Sequence, residues 1–397
     1  MILTILHLQS VAKTIGTYII IAHFYNFVND KHKRTILYPR QETGFCGIMY
    51  KMKILGIESS CDETAAAIIE DGQKVLSNVV VSQIDIHAEY GGVIPEIAAR
   101  SHIEAVNPVI KKALTDTNLT IDDVDAIAVT HTPGLVGSLL VGTLAARTLA
   151  VLHNKPFYPT HHLKSHIYAN WLSGYNPEFP LLAAVVSGGH TQIIYMERHD
   201  HFEIIGSTRD DAIGECFDKV AKILGLPYPG GPNIAKIALN GNPDKYQLPI
   251  PKVDGLDFSF SGIKTAVLRA VQNELGLPIT TPSHELKDHL TEQQIADFAA
   301  SFQKTAVNIL IKKLKKAREL HPETKSILLA GGVSANELLR TGLHKAFDSE
   351  CQVYVPEFKY STDNGAMVAS AAYYSIQAGE KSSDPYALDI SPRSVIR

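Results

Sequence analysis

From Lys53 onward, short apolar runs alternate with polar turns. "KILGIE" (53–58) is a buried-strand run, "SSCDET" (59–64) is a polar turn, and "AAAIIEDGQKVLSNVV" (65–80) predicts a hairpin closed at Asp71-Gly72. A helix over about 98–115 follows, then the strand "DAIAVT" (125–130). "TPGLVGSLLVGTLAARTLAVLH" (132–153) predicts a glycine-rich loop running into a helix, and "KPFYPT" (155–160) another strand. The series then restarts. "PLLAAVVSGGHTQIIYMERHDHFEIIGST" (180–208) is again strand, small polar turn, strand, turn, strand, with Thr191 in the place of Thr64. Such a repeat implies two similar α/β domains facing each other. A mostly helical insert spans about 214–319. "KSILLAGGVSANELLRTGLHKAF" (325–347) is strand, Gly-Gly turn and helix, and "DNGAMVASAAYYSIQAG" (363–379) a terminal amphipathic helix. The expected organisation is an extension over 1–52, a first domain over 53–160, a second over 161–379, and a loose polar tail over 380–397.

Composition narrows the class. A chain of 397 residues, 45% hydrophobic and 20% charged, describes an ordinary globular protein of more than one domain. Cys46, Cys61, Cys216 and Cys351 form no CxxC pair, which fits reduced thiols and a cytoplasmic location. The whole chain carries −4 and residues 1–52 carry +4, so the chain from Lys53 onward carries −8 and has no global nucleic-acid signature. "TIGTYIIIAHFYNFV" (14–28) is too short and too interrupted to span a bilayer comfortably, so no membrane role is expected. The extension reads as a product of start-site choice, and its removal is expected to leave fold and activity intact.

"FYPTHHLKSHIYANWLSG" (157–174) concentrates candidate chemistry. Pro159-Thr160 offers a helix start and Gly174 a stop. On a helix, His162 and His166 share one face, one turn apart, whereas His161 points about 100° away. An HxxxH pair can hold one face of a divalent cation or be no more than a histidine-rich helix, and a site needs a third ligand. Leu163 stands where a metalloprotease would carry its glutamate. Asp363, in "STDNGAMVA" (361–369), is either a helix N-cap or the carboxylate of a His/His/Asp set suited to zinc or ferrous iron.

The polar turns follow strands, where α/β folds place ligands. Ser187-Gly188-Gly189 and Gly331-Gly332 let backbone N–H groups approach an anion, and a nucleotide between the domains is one reading; tight connections are the other. No GxxxxGK[ST] is present, which excludes a Walker-type site. Asp62 and Glu63 are either a solvated turn or cleft carboxylates that position a reacting group. Lys312, Lys313, Lys315, Lys316 and Arg318 crowd three turns of one helix, as a solvated face or a local phosphate-binding patch.

From about Lys53 to Ala378 the chain resembles the tRNA adenosine threonylcarbamoyltransferases (TsaD). "GIESSCDET", "GGVIPEIAARSH", "HHLKSH", "VVSGGHTQ", "GECFDKVAKILGLPYPGGP", "DFSFSGIKTA", "GGVSAN" and "STDNGAMVA" follow one another in the family's order. The resemblance implies a two-domain actin-like, sugar-kinase-like α/β fold with duplicated ribonuclease-H-like domains. It also implies transfer of threonylcarbamoyl from threonylcarbamoyl-AMP to the N6 amine of the adenosine 3′ of the anticodon, in tRNAs reading codons that start with A. By that resemblance one divalent metal, Fe2+ ahead of Zn2+, falls on His162, His166 and Asp363. The adenylate contacts fall on Val185, Val186, Ser187, Gly188, Gly189, Asp218, Gly231 and Asn336, and the cleft carboxylate on Asp62. Asp218 then meets ribose hydroxyls; read without the family it is a solvated helical face beside Lys219. The partners implied are tRNA, a TsaB-like paralogue and a TsaE-like ATPase. A nucleotide-binding, non-catalytic scaffold of a tRNA-modification complex is the competing reading.

Overall fold

The two strand series form two five-stranded sheets of the same strand order. The structure is a computed structural model describing residues 51–387, 389–393 and 396, so the N-terminal apolar stretch and Cys46 lie outside the described residues. In the first sheet, β1 (Lys53–Glu58), β2 (Glu63–Glu70), β3 (Lys74–Ser82), β4 (Ala126–Thr132) and β5 (Phe157–His161) lie in the order β3-β2-β1-β4-β5. In the second, β6 (Leu181–Val186), β7 (Thr191–Arg198), β8 (His201–Ser207), β9 (Ser326–Ala330) and β10 (Gln352–Tyr354) lie in the order β8-β7-β6-β9-β10. Both begin with an antiparallel meander and continue with parallel strands. The duplication and the actin-like α/β fold are therefore as expected. Three-residue β10 was not anticipated; a run so short carries no period of its own. The β2–β3 hairpin turns at Asp71 (φ 52°) and Gly72 (φ 76°), the left-handed pair that matches strand twist.

Among the described residues, helices of five residues or more are α1 (Ile84–Ala88), α2 (Pro95–Thr115), α3 (Val136–Leu152), α4 (His162–Leu172), α5 (Ile213–Ile223), α6 (Gly230–Ala238), α7 (Ser261–Glu274), α8 (Glu292–Leu320), α9 (Glu337–Phe347) and α10 (Gly365–Gln377). Helices α4 and α10 pack against each other between the two sheets. Every residue of α4 except Lys164 is buried, as is most of α10, so α10 is not the amphipathic helix its position suggested. Ala366, Val368, Ala369 and Ala372 join the core of the first sheet, whereas Ala371 and Tyr374 join that of the second. Close approach requires glycine here: a Cβ on Gly56 would lie 2.3 Å from the Gly365 carbonyl oxygen. That contact seats α10 on β1 and so places the residues just before it.

Helix α4 starts at His162 rather than at Pro159-Thr160, because Pro159 and Thr160 continue the β5 ladder against Val129 and Thr130. Described residues of the C-terminal segment contact the fold. Ser383 N–H donates to the Phe157 carbonyl (2.8 Å), the Pro392 carbonyl accepts from Gly134 N–H (3.3 Å), and Ile396 is buried. In the helical insert, Lys313 Nζ donates to the Val253 and Gly255 carbonyls (2.8 and 2.9 Å), so part of the basic run holds a loop instead of facing solvent. Cys61, Cys216 and Cys351 are free thiols, and no described helix is long and apolar enough to cross a membrane.

Candidate active site

His162 and His166 occupy the first turn and a half of α4, with ring centroids 4.6 Å apart. His161 lies outside this pair, though not as a helical residue turned 100° away. It is the N-cap, still extended, and its Nδ1 accepts from Leu163 N–H at 3.3 Å. Asp363 lies two residues before α10, and it does not cap that helix. Asn364 does, accepting from Met367 N–H at 2.9 Å, which leaves Asp363 to face the histidines. Asp363 Oδ1 is 3.0 Å from His166 Nε2 and 3.6 Å from His162 Nε2. One ligand atom from each residue lies within 4.8 Å of the others, a spacing that could hold a metal ion.

Although 3.0 Å from a carboxylate, His166 Nε2 is not aligned for a hydrogen bond, and neither of its buried ring nitrogens has a hydrogen-bond partner among the described residues. An orphaned buried imidazole is costly unless another partner accepts it. The three donor atoms converge on a shared point instead of pairing off, and two nitrogens with one carboxylate oxygen suit ferrous iron or zinc. Burial would raise the Asp363 carboxyl, but the charges of His162 and His166 hold it down to about 2. Burial would lower His162, but Asp363 and then Glu58 hold it up to about 9.

Glu58 was not singled out from sequence. The only signal was a carboxylate ending an apolar strand. It is wholly buried, accepts from Ser60 N–H and Thr130 Oγ1 at 2.6 Å each, and lies 3.2 Å from His162 Nδ1. Burial would raise its pKa, but the charge and hydrogen bond of His162 reverse the shift and lower it.

The β1–β2 turn carries Asp62 and Glu63. His102, from the "GGVIPEIAARSH" stretch, braces this turn: Nε2 is 2.9 Å from the Cys61 carbonyl and Nδ1 2.7 Å from Thr64 Oγ1. Burial, followed by the charges of Asp363 and Asp62, pushes the Glu63 carboxyl well up. The Tyr228 phenol is raised first by burial and then by Asp62 and Asp218. Asp62, in the β1–β2 turn, and Asp218, on α5, thus both act on one phenol.

Across from these groups is the β6–β7 turn. Val185 and Val186 are buried at the end of β6, and Ser187 N–H donates to the His190 carbonyl at 2.8 Å. A Cβ on Gly188 or Gly189 would meet nothing within 4 Å, so the turn is open on that side, while Gly214 of α5 packs against it on another, where a Cβ would lie 2.8 Å from Gly188 Cα. Gly331 is different: its φ is +88°, and a Cβ there would lie 2.4 Å from the Val186 carbonyl oxygen. That glycine serves close strand packing. Asp218 is no solvated face; its Oδ1 accepts from Gly230 N–H (2.7 Å), beside Gly231 at the start of α6. Asn336 caps α9 through Leu339 N–H (3.1 Å) and donates to Gln303 (2.9 Å). His190, quoted in a motif but not singled out, is pulled down to about 4 by burial and then by the charges of His162 and His166. His190, in the β6–β7 turn, is thus within electrostatic range of the triad.

Comparison with known proteins identifies the family. The profile for tRNA N6-adenosine threonylcarbamoyltransferase (TsaD) matches residues 74–370. The protein of that name from Caldicellulosiruptor bescii is 49% identical over 84% of this chain and 95% of its own length. The one from Symbiobacterium thermophilum is 50% identical over 82% of this chain and 92% of its own. Among solved structures, T. kodakarensis HypF shares the fold, with a TM-score of 0.54 at 14% identity over 83% of this chain and 48% of HypF. Matched across most of its length at this identity, the chain belongs to the tRNA N6-adenosine threonylcarbamoyltransferase (TsaD) family.

Proposed function

We propose that this protein transfers the threonylcarbamoyl group from threonylcarbamoyl-AMP to the N6 amine of the adenosine 3′ of the anticodon, forming t6A in tRNAs that read codons beginning with A. The observation that carries the reading is the convergence of His162, His166 and Asp363 within electrostatic range of His190, in the turn that holds Gly188 and Gly189. We take 53–160 and 161–379 as the two lobes of the enzyme. His162, His166 and Asp363 would hold one divalent cation, Fe2+ ahead of Zn2+. When bound, the cation supplies Lewis acidity toward a carbonyl or phosphate oxygen of the adenylate.

The chain's own groups do the rest. Backbone N–H groups of Gly188 and Gly189, behind Val185, Val186 and Ser187, receive the phosphate. Asp218, already held by Gly230 N–H, turns its second oxygen to a ribose hydroxyl, with Gly231 and Asn336 lining the nucleoside. The N6 nitrogen forms the new bond to the carbamoyl carbon, the bond to the phosphate oxygen breaks, and AMP leaves. Asp62 aligns the amine and accepts its proton. An exocyclic amine is a poor nucleophile, so alignment matters more than basicity.

We place the protein in the cytoplasm with tRNA, a TsaB-like paralogue and a TsaE-like ATPase. Ile103, Leu140 and Leu144 lie 63%, 43% and 49% exposed on α2 and α3, an apolar face suited to a protein partner. The scaffold reading is not favoured, because the triad and Asp62 are all in place. The test is t6A formation by the purified protein with tRNA, threonine, bicarbonate, ATP, an adenylate-forming enzyme and both partners. Absence of t6A with every component present overturns the proposal.

A further inference from the structure

We infer that Glu58 is a positioning residue for the cation site: it fixes the tautomer and direction of His162. The inference rests on the metal reading above. Glu58 ends β1, is wholly buried, and lies 3.2 Å from His162 Nδ1, on the side of the ring away from Asp363. Its carboxylate is itself held at both oxygens. Ser60 N–H donates to Oε1 and Thr130 Oγ1 to Oε2, each at 2.6 Å. A carboxylate fixed in this way accepts the Nδ1 proton of His162. The ring is then obliged to present the Nε2 lone pair, and Nε2 is the nitrogen 3.6 Å from Asp363 Oδ1. Ser60 Oγ also lies 3.2 Å from Nδ1; a hydroxyl can donate or accept there, so the carboxylate, which can only accept, decides the tautomer.

The two histidines differ in this respect. His166 Nδ1 is buried with no hydrogen-bond partner among the described residues. Only His162 has its orientation set from behind, and it sits at the very start of α4, where the chain has just left β5 and a ring is least confined by helical neighbours. A carboxylate behind a metal-binding imidazole holds the ring's direction before the cation arrives and, once Nε2 gives up its proton to make way for the cation, keeps the remaining proton on Nδ1. The competing account is that Glu58 is only a stitch between β1 and β4 through Thr130. A stitch would affect stability alone.

The experiment separates the two using Co2+ as the probe. Affinity is measured by chelator competition on the full-length metal-free protein, together with the visible absorption of the bound cobalt and the thermal midpoint. Glu58→Gln keeps the size and an accepting oxygen but removes the charge. The expected result is Co2+ binding weakened by about 10- to 100-fold with altered cobalt bands. Wild-type affinity with an unchanged spectrum in Glu58→Gln overturns the inference and leaves the metal reading intact. Failure of the wild-type protein to bind Co2+ overturns the metal reading itself, and the inference with it. Should Glu58→Gln not fold, Thr130→Val decides: severalfold weaker binding supports the positioning role, and unchanged affinity and spectrum overturn it.

Discussion

The turn after β1 and the turn after β6 hold equivalent places in two sheets of one strand order, yet they are built for opposite tasks. The first is filled with side chains. Glu58, Ser59 and Ser60 are buried, Asp62 and Glu63 follow, and His102 braces the turn from α2. The second is emptied of them, with Gly188 and Gly189 leaving open space. A duplicated fold thus supplies two strand-end positions. Carboxylates in one can act on a metal or an amine, whereas bare backbone in the other can admit a phosphate. Neither turn is complete alone, because the candidate metal ligands come from the start of α4 and from the residues just before α10, held between the sheets.

The sharpest way to break this division of labour is through the triad. His162→Ala, His166→Ala and Asp363→Ala should each lose bound metal and lower t6A formation on the order of 10²-fold or more, since a Lewis acid stabilises a transition state by several kcal/mol. Metal content per chain and t6A yield check this. Next is Asp62→Asn in the first turn, expected to slow transfer on the order of 10²-fold without changing adenylate affinity. The mirror experiment is Gly189→Val, which should weaken adenylate binding severalfold while leaving metal content unchanged. Single-turnover rates and adenylate titration distinguish the two, and the reverse pattern would dissolve the comparison.

A smaller effect separates the two kinds of glycine. Gly331→Ala should cost on the order of 1–3 kcal/mol from its left-handed backbone, with more from crowding Val186, whereas Gly189→Ala should be close to neutral by denaturant unfolding. For tRNA, the basic run on α8 can be tested by charge reversal. Lys313 holds the 253–255 loop and Lys316 leans on it, so Lys312→Glu with Lys315→Glu is the clean variant. If the patch binds phosphates, the log-log salt slope of tRNA binding should fall by about 2. The smallest effect is expected at the edge of the triad. His161→Ala should keep its metal and lose only the N-cap contribution, about 0.5–2 kcal/mol by thermal unfolding.

Much of this was legible in the chain. The strand runs, the Asp71-Gly72 hairpin and the restart at Pro180 follow from local periodicity, and periodicity survives folding because each strand buries its own apolar residues. The HxxxH spacing is equally local. What escaped was whatever depended on a neighbour distant in sequence. Asn364 rather than Asp363 caps α10, and one position decides whether a carboxylate is spent on a backbone N–H or left to face a cation. Pro159 and Thr160 join a strand because Val129 and Thr130 lie alongside them. Glu58 is an ordinary strand end until Thr130, Ser60 and His162 surround it.

The sequence by itself therefore determined the two matched halves, the helix that pairs His162 with His166, and the carboxylates available to them. Only the tertiary structure brings Asp363, about two hundred residues away and assigned from the sequence by family resemblance alone, to 3.0 Å from His166. That outcome depends on α10 sitting hard against β1 at Gly56 and Gly365, where the absence of two Cβ atoms lets the helix come close enough to bring its first turn to the start of α4.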